Sequence, residues 1–110
     1  MPSSSGSFRV RVVTSADLER VTVRMSVAER ITRRSLGEFE TGLRAVAMLS
    51  FSLLVVDLRA TEDLPGAAAE ALIALRDRLA DRGLAMKVVS RPHSPTATTL
   101  ELAGVAATPV

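Results

Sequence analysis

Apolar and polar residues alternate from Phe8 to Val13 and again from Val21 to Val27, where Val21, Val23, Met25 and Val27 share one face. A period of two marks a half-buried strand. With the polar, turn-like link Thr14 to Arg20 between them, the two runs predict an antiparallel hairpin. The period then changes. Leu36, Phe39, Leu43 and Val46 follow at spacings of three and four, the stripe of an amphipathic helix. Ser35-Leu-Gly-Glu38 ahead of it has the form of a capping box. Gly37 and Gly42 weaken this helix by about 1 kcal/mol each relative to alanine, so packing or a close approach has to offset them.

Phe51 to Leu58 is almost continuously apolar, as suits a central strand covered on both faces. Asp57 interrupts it near its end, and the simplest reading is a carboxylate that accepts loop N–H bonds there. Pro65 stands in the favoured first-turn region of a second helix, which runs from Gly66 to Arg82 and stops at Gly83. Ala68, Leu72, Leu75 and Leu79 form its buried stripe. Arg76, Asp77, Asp81 and Arg82 fall on its wet face. Leu84 to Val89 reads as another buried strand, Ser90 to Pro95 as a loop, and Thr96 to Ala103 as a short helix anchored by Leu100 and Leu102 and ended by Gly104. Val105 to Val110 trails away. The order β-β-α-β-α-β-α implies an α/β fold with a mixed sheet of about four strands backed by helices, its crossovers right-handed.

Composition narrows the function classes. The 110 residues, 47% of them apolar, suffice for one core and not for two. Residues 8–110 are expected to form one domain. The Ser/Gly/Pro-rich residues 1–7 are expected to be a disordered tail. The chain has no cysteine, which excludes disulfides, thiol catalysis and cysteine-bound metals. His93 is the only histidine, so no zinc site of the usual kind can be assembled. Set between two prolines, it reads as a loop residue. Ser90 and Ser94 lie near it, yet spacing alone does not make a triad. No Gly-rich phosphate loop is present. Up to Val46 eight arginines face five acids, and six basic residues face seven acids after it. That mild asymmetry, with 3% aromatic residues, argues against nucleic-acid binding. The longest apolar stretch, Ala45 to Val56, is broken by Ser50 and Ser52 and too short to span a bilayer. A cytoplasmic, non-enzymatic protein that needs no cofactor is the expectation.

Three stretches together resemble the STAS family (sulfate transporter and anti-sigma factor antagonist). The first is Val21 to Leu43, with Glu29-Arg30-Ile31 at the family's Gly-Glu-Leu-like step and Ser35 and Glu38-Phe39 at its helix start. The second is Leu54-Val-Val-Asp-Leu58 followed by Ala71-Leu-Ile-Ala-Leu-Arg76. The third is Leu100-Glu-Leu-Ala-Gly-Val105. The resemblance implies a four- or five-stranded mixed sheet and a protein-binding role. In anti-sigma factor antagonists the loop and helix after the third strand bind a kinase-like anti-sigma factor, which phosphorylates a hydroxyl in an Asp-Ser-Ser/Thr-Gly motif.

The chain departs from that motif. Counted without gaps from Asp57, the four motif positions are Pro65, Gly66, Ala67 and Ala68, and the acceptor position is Ala67. With two residues dropped from the loop they are Asp63, Leu64, Pro65 and Gly66, and the acceptor position is Pro65. Neither supplies a hydroxyl. The resemblance thus implies an interaction module whose partner-binding residues are Thr61, Glu62, Asp63, Gly66, Ala67, Ala68 and Glu70, and whose partner is an anti-sigma factor or related signalling protein. A homodimer is compatible with it. Thr61 is the nearest alternative acceptor. Glu62 and Asp63 suit the helix N-terminus electrostatically. The alternative readings are a small subunit docking on the ATPase of an ABC transporter, and a small-ligand sensor.

Overall fold

The computed structural model describes residues 8–17, 20–29, 31–32, 35–49 and 51–109. The expected tail, residues 1–7, lies outside the described residues. The elements are β1 (Phe8–Asp17), β2 (Arg20–Glu29), α1 (Leu36–Ala47), β3 (Leu53–Asp57), α2 (Gly66–Asp81), β4 (Ala85–Ser90), α3 (Pro95–Ala103) and β5 (Ala107–Pro109). They build one five-stranded sheet in the order β1-β2-β3-β4-β5. β1 and β2 are antiparallel, and the other pairs are parallel. Each helix therefore connects two neighbouring parallel strands.

The hairpin is longer than the alternation predicts. Its ladder continues through Thr14↔Val23 to Asp17↔Arg20, so the polar residues after Val13 are paired rather than looped. Strand pairing satisfies backbone groups whatever the side-chain polarity, and the period-two pattern reports only which face is apolar. The chain end also departs from expectation. Ala107–Pro109 does not trail away but pairs with Val88–Ser90 as a fifth strand.

One face of the sheet carries the core. Val23, Met25 and Val27 of β2, Leu54 and Val56 of β3 and Val88 of β4 pack with Phe39, Leu43 and Val46 of α1, with Ala68, Ala69, Leu72, Leu75 and Leu79 of α2, and with Leu100 of α3. This is the stripe the helical spacings predict. Gly42 has its reason here: a Cβ on it would lie 3.3 Å from Met25 Cε, so glycine lets α1 sit close to β2. The alternate residues Thr22, Arg24, Val55, Asp57, Lys87 and Val89 belong to the opposite face. That face carries the charges of Arg24, Asp57 and Lys87, and Val55 and Val89 are nonetheless buried on it, at 7% and 5% exposure.

Several local expectations need correction. Ser35 is the N-cap of α1 but makes no capping bond into the helix. Its Oγ accepts from the Thr32 N–H at 2.8 Å, and Thr32 Oγ1 accepts from the Ser35 N–H at 3.2 Å. The hydroxyl is spent on the incoming turn, and the capping box with Glu38 is not formed. Pro65 is the N-cap of α2, extended at φ −63° and ψ 149°, and Gly66 is the first helical residue. Leu102 does not anchor α3. It is 83% exposed whereas Leu100 is fully buried, because two helical steps turn a side chain about 200° away. Thr96, four residues before Leu100, takes the second inward position. Arg82 does more than face water: its Nη1 donates to the Ala47 carbonyl at the end of α1, at 3.0 Å. Gly83, at φ 74°, ends α2 as expected, with the Leu84 N–H on the Leu79 carbonyl at 2.8 Å.

Candidate functional site

The carboxyl ends of β3 and β4 carry the loops that lead into α2 and α3. In open α/β sheets this is where ligand and partner sites gather. Leu58 to Pro65 forms the first loop. Arg91 to Ser94 forms the second, in which His93 takes the left-handed conformation at φ 58°.

Asp57 organises the start of the first loop. Its Oδ1 accepts from the Arg59 backbone N–H and from Arg59 Nε, both at 3.0 Å, and its Oδ2 accepts from Arg59 Nη2 at 2.8 Å. Arg24 Nη2, from the same face of the sheet on β2, donates to Oδ2 at 2.7 Å. The residue opposite Arg24 in the ladder is Val55, so Arg24 reaches Asp57 diagonally, as long side chains do across a sheet. The Arg59 side-chain bonds hold the Asp57 carboxyl well below the usual carboxylate range. Burial opposes this, and the Arg59 N–H and the Arg24 bond reinforce it. Asp57 in turn raises the Arg59 guanidinium above its ordinary value through the hydrogen bond they share. The expected loop N–H bond is present, and the arginine fork adds to it.

Two buried threonines fix the middle of the loop. Thr61 is 3% exposed, and its hydroxyl donates to the Val27 carbonyl at 2.8 Å. The Thr61 carbonyl accepts from the fully buried Thr96 hydroxyl at 2.9 Å. The loop is thereby tied to β2 on one side and to α3 on the other. Leu64, 2% exposed, holds it down on the core. Thr61→Val keeps the volume but leaves the buried Val27 carbonyl without its donor. The expected cost is about 1.5 kcal/mol, read as a lower urea midpoint at constant slope; a midpoint within error of the parent would contradict the clamp.

The seven sequence-nominated residues are therefore not equivalent. Glu62, Asp63, Gly66, Ala67 and Glu70 are exposed, whereas Thr61 and Ala68 are buried. Thr61 contributes its backbone anchoring, and Ala68 lets the first turn of α2 lie against the core. Ala67 stands exposed in that first turn. The Pro65 carbonyl accepts the N–H groups of Ala68 and Ala69, at 3.0 and 3.2 Å. No side chain caps the helix. As an acceptor for phosphate, Thr61 would first have to leave its bond to Val27.

A hollow of about 310 Å³ lies between the two loops, lined by Arg59, Thr61, Glu62, Arg91, Ser94 and Pro95. Ser94 Oγ donates to the Arg91 carbonyl at 2.7 Å and accepts from the Ala97 N–H at 3.0 Å, capping α3. Among the described residues no hydrogen bond joins His93 to a serine or a carboxylate, and no group of three histidine or acidic side chains could hold a metal ion.

Arg24, Arg59, Arg91 and Thr96 were not singled out by sequence reasoning. Arg59, two residues after a strand-terminal aspartate, was the most accessible signal. Arg24 sits on the polar parity of a strand that pairs with β3. Thr96 gave no local signal because its partner Thr61 is 35 residues away, and Arg91 gave none because it meets Arg59 only across the hollow between two loops.

No family model matches the chain, and no curated protein matches it by sequence. Solved structures do. An anti-sigma factor antagonist from Mycobacterium paratuberculosis superposes with a TM-score of 0.72 and 25% identity, covering 92% of this chain and 82% of that one. A serine-to-glutamate variant of RsbS from Moorella thermoacetica superposes with a TM-score of 0.68 and 19% identity, covering 93% of this chain and 87% of that one. The fold class is a mixed α/β sheet with helices that link its parallel strands. More particularly, the chain has the STAS domain fold of the anti-sigma factor antagonists.

Proposed function

We propose that the chain is a non-catalytic interaction module of the anti-sigma factor antagonist kind, and that it binds an anti-sigma factor or related signalling protein with a kinase-like ATPase fold. The supporting observation is the surface at the start of α2. Gly66 and Ala67 are exposed there without bulk, beside the carboxylates of Glu62, Asp63 and Glu70. A backbone clamped on both sides by Thr61 presents this surface. Small side chains allow close backbone approach, and a fixed loop loses little entropy on binding. The similarity to an anti-sigma factor antagonist supplies the partner class.

In this reading Ala67 occupies the position that the family phosphorylates, and alanine cannot accept a phosphoryl group. A phosphate there would add about −1.5 to −2 charges to the interface. The module lacks that means of release, so its complex is governed by concentration or by the partner. The reaction classes that need a nucleophile, a base and an orienting group have no candidate set among the described residues. The cytoplasm is the compartment that suits such a partner; no helix among the described residues is long and apolar enough to cross a membrane.

The test is binding of the purified chain to candidate anti-sigma factors by calorimetry. The parent chain is expected to bind, and Ala67→Glu to weaken binding at least about tenfold through an unpaired interfacial charge. The fold is expected to be retained, since an acid in the first helical turn complements the dipole. Binding that Ala67→Glu leaves unchanged would overturn the assignment of this surface. Retention of a transporter ATPase in place of anti-sigma factors would overturn the partner class.

A further inference from the structure

We propose that the hollow between the β3–α2 and β4–α3 loops is a binding site for a phosphate dianion, free or carried as a small phosphate monoester, with Arg91 and Arg59 as its cationic walls. The hollow shares Thr61 and Glu62 with the proposed partner surface, but anion binding there does not depend on that partner.

The charge at the hollow is the first argument. Arg24 and Arg59 share the single carboxylate of Asp57. That cluster keeps one positive charge unbalanced. Arg91 lies on the opposite wall, and its side chain has no partner among the described residues. Glu62 lines the hollow too and opposes an anion with one charge. Three guanidiniums against two carboxylates still leave a positive site.

Geometry is the second argument. A guanidinium binds phosphate best when its planar fork is already oriented. Asp57 engages Arg59 through Nε and Nη2, and Nη1 makes no bond among the described residues. The Arg59 fork is thus fixed with donors to spare. A hollow of about 310 Å³ is near the lower end of ordinary ligand sites, which suits a compact anion. Its place at the carboxyl ends of parallel strands is where such ligands bind in open α/β sheets. Thr61 and Ser94 contribute little directly, because their hydroxyl protons are committed to the carbonyls of Val27 and Arg91.

The experiment is a heteronuclear NMR titration of the full chain with inorganic phosphate and, separately, with glycerol 3-phosphate. Sodium chloride at matched ionic strength is the control. Saturable shifts of the amides of Arg59 to Glu62 and of Arg91, His93, Ser94, Thr96 and Ala97 are expected, absent with chloride. Arg91→Ala is expected to weaken binding about tenfold, the loss of one charge-assisted contact. Arg91→Lys should fall between, keeping charge but losing the fork. Arg78→Ala, an exposed arginine of α2 outside the hollow, should bind like the parent. The tighter of the two probes tells a free anion from a monoester. Shifts that fail to saturate, that chloride reproduces, or that Arg91→Ala leaves unchanged would overturn the site.

Discussion

Phe39→Ala is expected to remove about 4 kcal/mol of stability, the largest loss from any single substitution considered for this chain. Phe39 is fully buried on the inner face of α1, among the largest enclosed side chains of the core. Truncation removes the transfer free energy of the ring and leaves a cavity. The neighbours can close that cavity only in part, because α1 is already drawn against β2 at Gly42. A domain of this size has about 5–15 kcal/mol in total, so the variant should lose a quarter or more of its urea midpoint at constant slope. Leu102→Ala, on an exposed position, should change stability by less than about 0.5 kcal/mol. If both variants lost similar amounts, the inner face of the sheet would be wrongly assigned.

Asp57→Ala is expected to cost about 2 kcal/mol and to alter the pH dependence of stability. The group is nearly buried and accepts four hydrogen bonds. Removing one partner of a fully buried ion pair costs about 3–5 kcal/mol. Here Arg24 and Arg59 keep 40% and 44% of their side-chain surface in water, which lowers the figure. The folded carboxyl titrates well below its ordinary value of 3.8. A depressed carboxylate contributes stability that is fully present above the unfolded value and is lost as pH falls through the folded one. The parent should therefore lose stability steadily as pH drops below about 4. Asp57→Ala should start lower and lose less across the same interval. Equilibrium denaturation at pH 7, 5, 4 and 3 measures both slopes, and parallel curves for the two proteins would contradict the role given to Asp57.

The fold was legible in the sequence wherever burial followed a simple period. The alternation of Val21 to Val27 and the stripes of α1 and α2 are consequences of one apolar face per element, and they can be counted. Asp57 was legible as a strand-end acceptor because a carboxylate inside an apolar run needs donors. The missed features depend on groups brought together from afar. β5 has three residues and is defined by its pairing with Val88 to Ser90, with no pattern of its own. The Ser35 hydroxyl had two competing acceptors and donors within reach, and its choice of Thr32 over the helix follows from the turn geometry. Leu102 was misassigned by counting apolar residues without their angular phase.

For the candidate site the sequence offers a nominated surface and nothing of its mechanics. The resemblance placed the surface at Thr61 to Glu70 and the sequence showed no hydroxyl at Ala67. What the sequence did not reveal is that Thr61 faces inward. A threonine in a polar loop gives no sign of being buried until Val27 and Thr96 are seen on either side of it.

The sheet order has a consequence for how the molecule comes together. Strands β1 to β5 lie side by side in the order in which they occur in the chain. Each new strand therefore finds its template in the one just before it, and none has to be threaded between two that are already paired. Such nearest-neighbour growth keeps the loops that must be closed shorter than a reshuffled order of the same strands would need. It also lets an N-terminal portion assemble during synthesis while later residues are still being added. The short β5, the last strand in sequence, adds only three residues to the sheet edge, next to the loop that carries Arg91.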